Sequence, residues 1–362
     1  MRVLLVIPAL AVGGAEEQVR LLRRAFPKDR HDVCEILVVG PNAGLIDEKS
    51  SFENFKFFNF NHSKIFYYLC VPFQILHRRI FFKKFDVIHC NLTWGVWLGI
   101  WIKIFKFLKP FNKIKISMTI HFVYGKENLF SKYVHKIGFI LFDGLVFVKE
   151  DNRFAIEYPQ ASGKITNINN GVEFEDSLIH RGNFSKDELK VGILSRLSHE
   201  RDVQKGILIF HNLSTLFPDF KIKLLIGGDG SNRVQLERFC SELSTKDHIE
   251  FYGLVMDRNL FFEKIDLFIT LTDGVYPGVS GLEAIARGIP TFGYTETNQS
   301  FSSKCLISSS NEMNMSLDIG KLIQSKLLLE EYREEQYAFF SRNFNINNTA
   351  LNYLNFFENL LI

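Results

Sequence analysis

The sequence predicts two doubly wound α/β domains, Rossmann-like in pattern, that face each other across a central cleft. Three observations predict this. Short apolar, β-prone runs alternate with helical patterns along the chain, as in parallel sheets covered by helices on both faces. The alternation occurs twice, before and after a polar stretch that opens at Asn170-Gly171-Val172-Glu173 and runs to about Lys186. Glycines stand where strands give way to helices, at Gly13-Gly14, Gly227-Gly228-Asp229-Gly230 and Pro277-Gly278. A chain of 362 residues is long enough for two cores of this kind. The predicted division is a first domain at 1–172, a second at 173–345, and a last helix at 346–362. Ligands of this architecture bind beyond the carboxyl ends of the strands.

In chain order, the first half has predicted strands at 3–7, 34–39, 56–60, 86–90, 115–120, 144–148 and 164–169. The second half has them at 190–194, 221–226, 248–252, 267–271 and 291–294. The opening residues join Arg2, an apolar run and Ala9-Leu10-Ala11, which outwardly match a secretory leader. The run is short, Pro8 breaks it, and Gly13-Gly14 follows at once. A buried strand, a glycine turn and a helix from about Ala15 explain it better. No apolar run reaches the roughly 18 residues of a membrane span, so no transmembrane helix is expected. Five scattered cysteines show neither metal spacing nor a pairing pattern, which favours a reducing, cytoplasmic setting.

The stretch 267–294 carries the densest chemistry. An apolar run is broken by Asp273-Gly274 and Pro277-Gly278, and a helical pattern starts near Ser280. Gly288 and Pro290 stop it. This reading puts Glu283 in the first turn of the helix. A helix N-terminus offers unpaired N–H groups and partial positive charge to a phosphate, here from Gly278, Val279 and Ser280. A neighbouring carboxylate can accept both hydroxyls of a ribose. The same residues also fit an ordinary crossover in which Glu283 only favours the helix dipole.

The run Glu283-Ala284-Ile285-Ala286-Arg287-Gly288-Ile289-Pro290 resembles the donor-site signature of retaining glycosyltransferases of family 4, which have the GT-B fold. That signature has a second glutamate eight positions earlier, where this chain has Val275. Asp273, two residues further back, is the nearest carboxylate. The resemblance implies that Glu283 holds the nucleotide ribose. The resemblance leaves the donor-sugar contact open; Asp273 supplies it if the loop is longer by two residues.

Other positions join this pattern. Arg196 follows a predicted strand, and Arg201 stands five positions later. Two fixed cations can neutralise a departing diphosphate. They also fit two solvated side chains beside a helix start. The family that the chain resembles has Arg and then Lys here. Arg201 keeps the charge and changes the reach, and Lys205 is the alternative if the register slips. Gly228, Gly230 and Gly253 resemble the family's turns around the nucleobase, although each alone is turn chemistry. The Gly13-Gly14 loop lacks the dinucleotide fingerprint, which disfavours NAD; it resembles the family loop near the donor diphosphate and the acceptor. His121 ends a strand where family members place a histidine near the donor sugar, and His89 is read as structural.

Residues 53–115 hold eleven lysines and arginines against Glu53 and Asp86. Trp94, Trp97 and Trp101 lie among them on one predicted helical face. Such a face suits an anionic lipid interface. It equally fits a core helix whose tryptophans pack on the sheet. No nucleic-acid motif accompanies the charge. The resemblance thus implies transfer of a sugar from a nucleotide-diphosphate donor to an acceptor hydroxyl, with retention and without a metal or other cofactor. The acceptor expected is a lipid-linked glycan of a bacterial surface-polysaccharide pathway, met at the inner face of the cell membrane. Two rivals stand beside it: a non-catalytic GT-B protein that binds a nucleotide or partner, and a sugar-nucleotide epimerase.

Overall fold

The computed structural model describes residues 1–9, 13–26, 33–39, 64–107, 111–121, 129–148, 159–174, 188–272, 277–295 and 306–362. It divides into two compact units, Met1–Gly171 with Ile346–Ile362, and Val172–Asn345. The strand expected at 56–60 lies outside the described residues.

The first unit runs β1 (Arg2–Ile7), α1 (Gly14–Ala25), β2 (Val33–Val38), α2 (Lys64–His77), α3 (Arg79–Phe82), β3 (Val87–Asn91), α4 (Leu92–Ile104), β4 (Lys115–Ile120), α5 (Leu129–Leu141), β5 (Gly144–Phe147) and β6 (Ile165–Asn167). The C-terminal helix Ile346–Leu361 completes it. The strands pair in parallel in the order β2-β1-β3-β4-β5-β6. Strand side chains alternate between faces, and β1 shows the consequence. Val3, Leu5 and Ile7 join the cluster of α1 and the C-terminal helix. Leu4 and Val6 join the cluster of α2, α4 and α5. Gln18 on α1 clamps the end of this unit: its amide donates to Gly171 O and accepts from Gly171 N at 2.9 Å.

Helix α4 touches both α2 and α5, so it is covered on its flanks as well as against the sheet. Its near-uniform apolarity is that of a buried helix. Trp94, Trp97 and Trp101 are only partly exposed and pack against the core. The Trp97 ring lies 5.9 Å from Trp101 and 6.3 Å from Phe130 of α5. Lys103 is held by Asp143 at 2.6 and 2.7 Å. Of the two readings of the tryptophan face, packing against the sheet and α5 is the one that these contacts fit.

The second unit runs β7 (Glu188–Leu194), α6 (Val203–Leu216), β8 (Lys221–Gly227), α7 (Arg233–Ser241), β9 (Ile249–Gly253), α8 (Arg258–Phe262), β10 (Leu267–Thr272), α9 (Val279–Ala286), β11 (Thr291–Thr295), β12 (Ser308–Ser309), α10 (Glu312–Ile323) and α11 (Lys326–Asn343). Its strands are also parallel, in the order β12-β11-β10-β7-β8-β9. The two-residue strand β12 carries too little pattern to be seen in sequence. Buried Gln336 on α11 accepts from Thr291 N and donates to Thr291 O, each at 2.9 Å, which fixes the start of β11. Each sheet reverses its winding once, between β1 and β3 and between β7 and β10. Those reversals are where doubly wound sheets bind ligands.

Candidate functional site

In the second unit the reversal lies between β7 and β10, so the segments after these strands frame the site. The segment after β7 is zipped to the turn after β8. Ser195 N donates to Gly227 O at 3.0 Å, Leu197 N to Asp229 O at 3.0 Å, and Asn232 N to Leu197 O at 2.9 Å. Leu197 is fully buried, and Arg196 between these ties is turned out and exposed. The close approach requires glycine. Gly228 has φ +126°, outside the range of side-chain-bearing residues, and a Cβ there would fall on Ser195 O. A Cβ on Gly230 would fall on Leu197 O. Gly228 N in turn donates to Gly253 O at 2.7 Å, so three strand ends are joined through backbone.

The chain then makes a tight turn, His199–Arg201, with Arg201 exposed, before α6 begins. Glu200 reports the field there. Its carboxyl is held below the ordinary range by its own backbone N–H, by the Ser198 hydroxyl, and then by the Arg201 and Arg196 charges. Both guanidinium charges are therefore felt at this one exposed carboxylate. Lys205 is engaged elsewhere, in a 2.6 Å ion pair with Glu312.

Helix α9 follows β10. Its N-cap, Gly278, uses no side chain, and a Cβ there would meet open space. Leu282 N bonds Gly278 O at 3.0 Å, which leaves the N–H groups of Val279, Ser280 and Gly281 without acceptors inside the helix. Glu283 is the fifth helical residue, so it stands in the second turn, not the first. The helix starts one residue before the expected Ser280, at Val279. Glu283 is 7% exposed and ion-paired to Arg258 at the start of α8. Arg287 braces the same place. It donates to Glu283 O at 2.9 Å and to Asn259 Oδ1 at 2.5 Å, and lies 4.8 Å from the Phe262 ring centre. Asp257 caps α8 by accepting from Asn259 N at 2.9 Å and Leu260 N at 3.3 Å. The carboxylate is thus fixed in place by charge and by both neighbouring helices.

In the first unit the reversal lies between β1 and β3. Gly13 caps α1 and Gly14 begins it. Asn91 ends β3 and is buried; its Oδ1 lies 3.0 Å from His121 Nε2 at the end of β4. Burial pushes the His121 imidazole down to about 4, helped by the His135 charge, so it is neutral at pH 7. His89 is structural. Its ring nitrogens lie 2.8 Å from the Ser117 hydroxyl and 2.6 Å from the Thr119 hydroxyl, against Tyr353, Phe356 and Phe357. Among the described residues no cluster of His, Cys, Asp and Glu is placed to hold a metal ion.

With this geometry in hand, known proteins give a consistent match. Residues 12–176 fit the family model Glycosyltransferase Family 4, and residues 175–339 fit Glycosyl transferases group 1. The chain belongs to the GT-B glycosyltransferases. It is 26% identical over 243 residues to alpha-monoglucosyldiacylglycerol synthase of Streptococcus pneumoniae, covering 58% of this chain and 52% of the synthase. It therefore spans about half the length of that relative. It is 24% identical over 293 residues to the O-antigen biosynthesis glycosyltransferase WclY of Escherichia coli, covering 77% and 80% of the two chains. The solved structure of Anabaena HepE in complex with UDP shares the fold at TM-score 0.68 and 14% identity, over 99% of this chain and 100% of HepE.

In this GT-B protein the second unit brings Arg196, Arg201, Gly228, Gly230 and Gly253 to the ends of β7, β8 and β9, with Gly278, Val279, Ser280 and Glu283 beyond β10. Gly13, Gly14 and His121 stand at the corresponding strand ends of the first unit. Asp273 and Val275 lie outside the described residues. Sequence reasoning missed Arg258, Arg287 and Asn91. Arg287 was visible only as part of the signature. Arg258 is 25 residues from its partner, and no local pattern joins two such positions.

Proposed function

We propose that this protein transfers a sugar from a nucleoside diphosphate to a hydroxyl of a lipid-linked glycan in surface-polysaccharide or glycolipid synthesis, with retention at the anomeric carbon and without a metal. In the step, the bond from the anomeric carbon to the diphosphate breaks and the acceptor oxygen takes its place. The acceptor proton leaves with the diphosphate. Arg196 and Arg201 stabilise the charge that develops on the leaving group. The N–H groups of Val279, Ser280 and Gly281, without acceptors inside the helix, add backbone donors. Glu283 accepts the ribose hydroxyls. Asp273 and the neutral His121 are assigned to the donor sugar on the family resemblance.

The observation that carries this reading is the pairing of two exposed arginines acting on one region after β7 with a braced, buried carboxylate on α9. The UDP held by the HepE structure supports a uridine donor. The glycolipid and O-antigen roles named for the relatives support a membrane-linked acceptor.

The test is donor turnover. The purified protein is incubated with UDP-, GDP- and ADP-sugars, with and without membrane lipid extract, and free nucleotide is measured. Release from one donor that is abolished in Glu283→Ala supports the proposal. Nucleotide binding without release, lipid present, overturns it in favour of a non-catalytic binder.

A further inference from the structure

We propose that the outward face of α5 docks on an anionic lipid bilayer. The helix is apolar on both sides. Its inner side, including Val134, Gly138 and Phe139, packs into the first unit. Its outer side carries Leu129, Phe130, Tyr133, Ile137 and Ile140, which are 75%, 44%, 64%, 40% and 51% exposed. A helix on a protein surface normally turns polar residues outward. At helical spacing these five fall on one arc about 100° wide. Lys132 and Lys136, both exposed, run along one edge of that arc, and the helix holds no acid. Contiguous exposed apolar surface on this scale marks an interaction site.

Charge selects the occupant. Between residues 64 and 141 the sequence has thirteen lysines and arginines and two acids, Asp86 and Glu127. The rest of the chain has thirty bases and thirty-eight acids. The apolar arc therefore belongs to the strongly basic part of the sequence, and Lys132 and Lys136 border it directly. An amphipathic helix of this composition seats its apolar side roughly 5–10 Å into the headgroup boundary, with lysines against anionic lipid. Tyrosine suits that boundary as well, since its ring is apolar and its hydroxyl is wet. The lipid-facing element is thus α5, not the tryptophan face of α4. The inference goes beyond sugar transfer, since vesicle binding needs neither donor nor acceptor.

The test is co-sedimentation of the full chain with vesicles of phosphatidylcholine alone and of phosphatidylcholine with phosphatidylglycerol. Wild type should bind the anionic vesicles at least about tenfold more tightly than the neutral ones. The variant Leu129→Gln/Tyr133→Gln/Ile140→Gln should lose at least about tenfold in partition. A second variant, Lys132→Gln/Lys136→Gln, should lose about fivefold per lysine, and raised salt should imitate it. Thermal melts confirm that both variants fold, and UDP binding, measured separately, should be unchanged in both. Wild type that stays in the supernatant, equal binding to both vesicles, or a triple variant that sediments like wild type overturns the proposal. So does a wild-type dimer in solution that the triple variant converts to monomer, because a second copy would then own the face.

Discussion

Replacing Arg258 by methionine tests how Glu283 is held. The substitution keeps the length of the side chain and removes its charge. Glu283 is 7% exposed, so it would be left as a nearly buried carboxylate without its ion-pair partner. Breaking such a pair costs about 3–5 kcal/mol. For a domain of this size that lowers the melting temperature by about 6–20 °C. The double variant Arg258→Met/Glu283→Gln should recover most of the loss at pH 7. A single variant melting within about 2 °C of wild type would refute the reasoning, as would a double variant that recovers none of the loss.

Two further outcomes follow from the geometry. Gly228→Ala places a methyl group on Ser195 O at φ +126°, and relief requires parting the turns after β7 and β8. The expected cost in urea denaturation is about 3 kcal/mol or more, with loss of nucleotide binding; a change within about 0.5 kcal/mol of wild type contradicts it. His89 gives a pH signature in the first unit. Burial, then the His121 charge, pushes its imidazole down to about 3. The unfolded state therefore binds the extra proton below about pH 6.5, so the stabilisation is complete above that value and is lost as pH falls toward about 3. By pH 5 the loss is about 2 kcal/mol. The variant His89→Gln should show a flatter melting curve against pH between 7 and 5, and equal slopes in the two proteins would exclude His89 as the source.

The sequence by itself determined the doubly wound α/β architecture and the strand ends at which the candidate site residues stand. Short apolar, β-prone runs such as 3–7 and 267–271, recurring between helical patterns, read as buried parallel strands, and glycine turns mark the strand ends where a backbone must approach another closely. Arg196, Arg201 and Glu283 could be singled out because each stands at such a boundary where the resemblance to family 4 places a ligand-binding residue. Helix ends were legible to within a residue or two, which was enough to misplace Glu283 by one turn. Only the tertiary structure decided which side chains meet. Arg258 grips Glu283, Lys205 is drawn to Glu312 and Asn91 meets His121 because separate strands and helices bring them together. The helices α4 and α5 show the same division. Both are rich in apolar residues, and periodicity alone assigns neither an inside nor an outside to such a helix. The neighbours α2 and α5 cover α4 on its flanks, whereas α5 keeps an uncovered outer arc. That difference is a matter of position in the helical layer, which no local run of residues encodes.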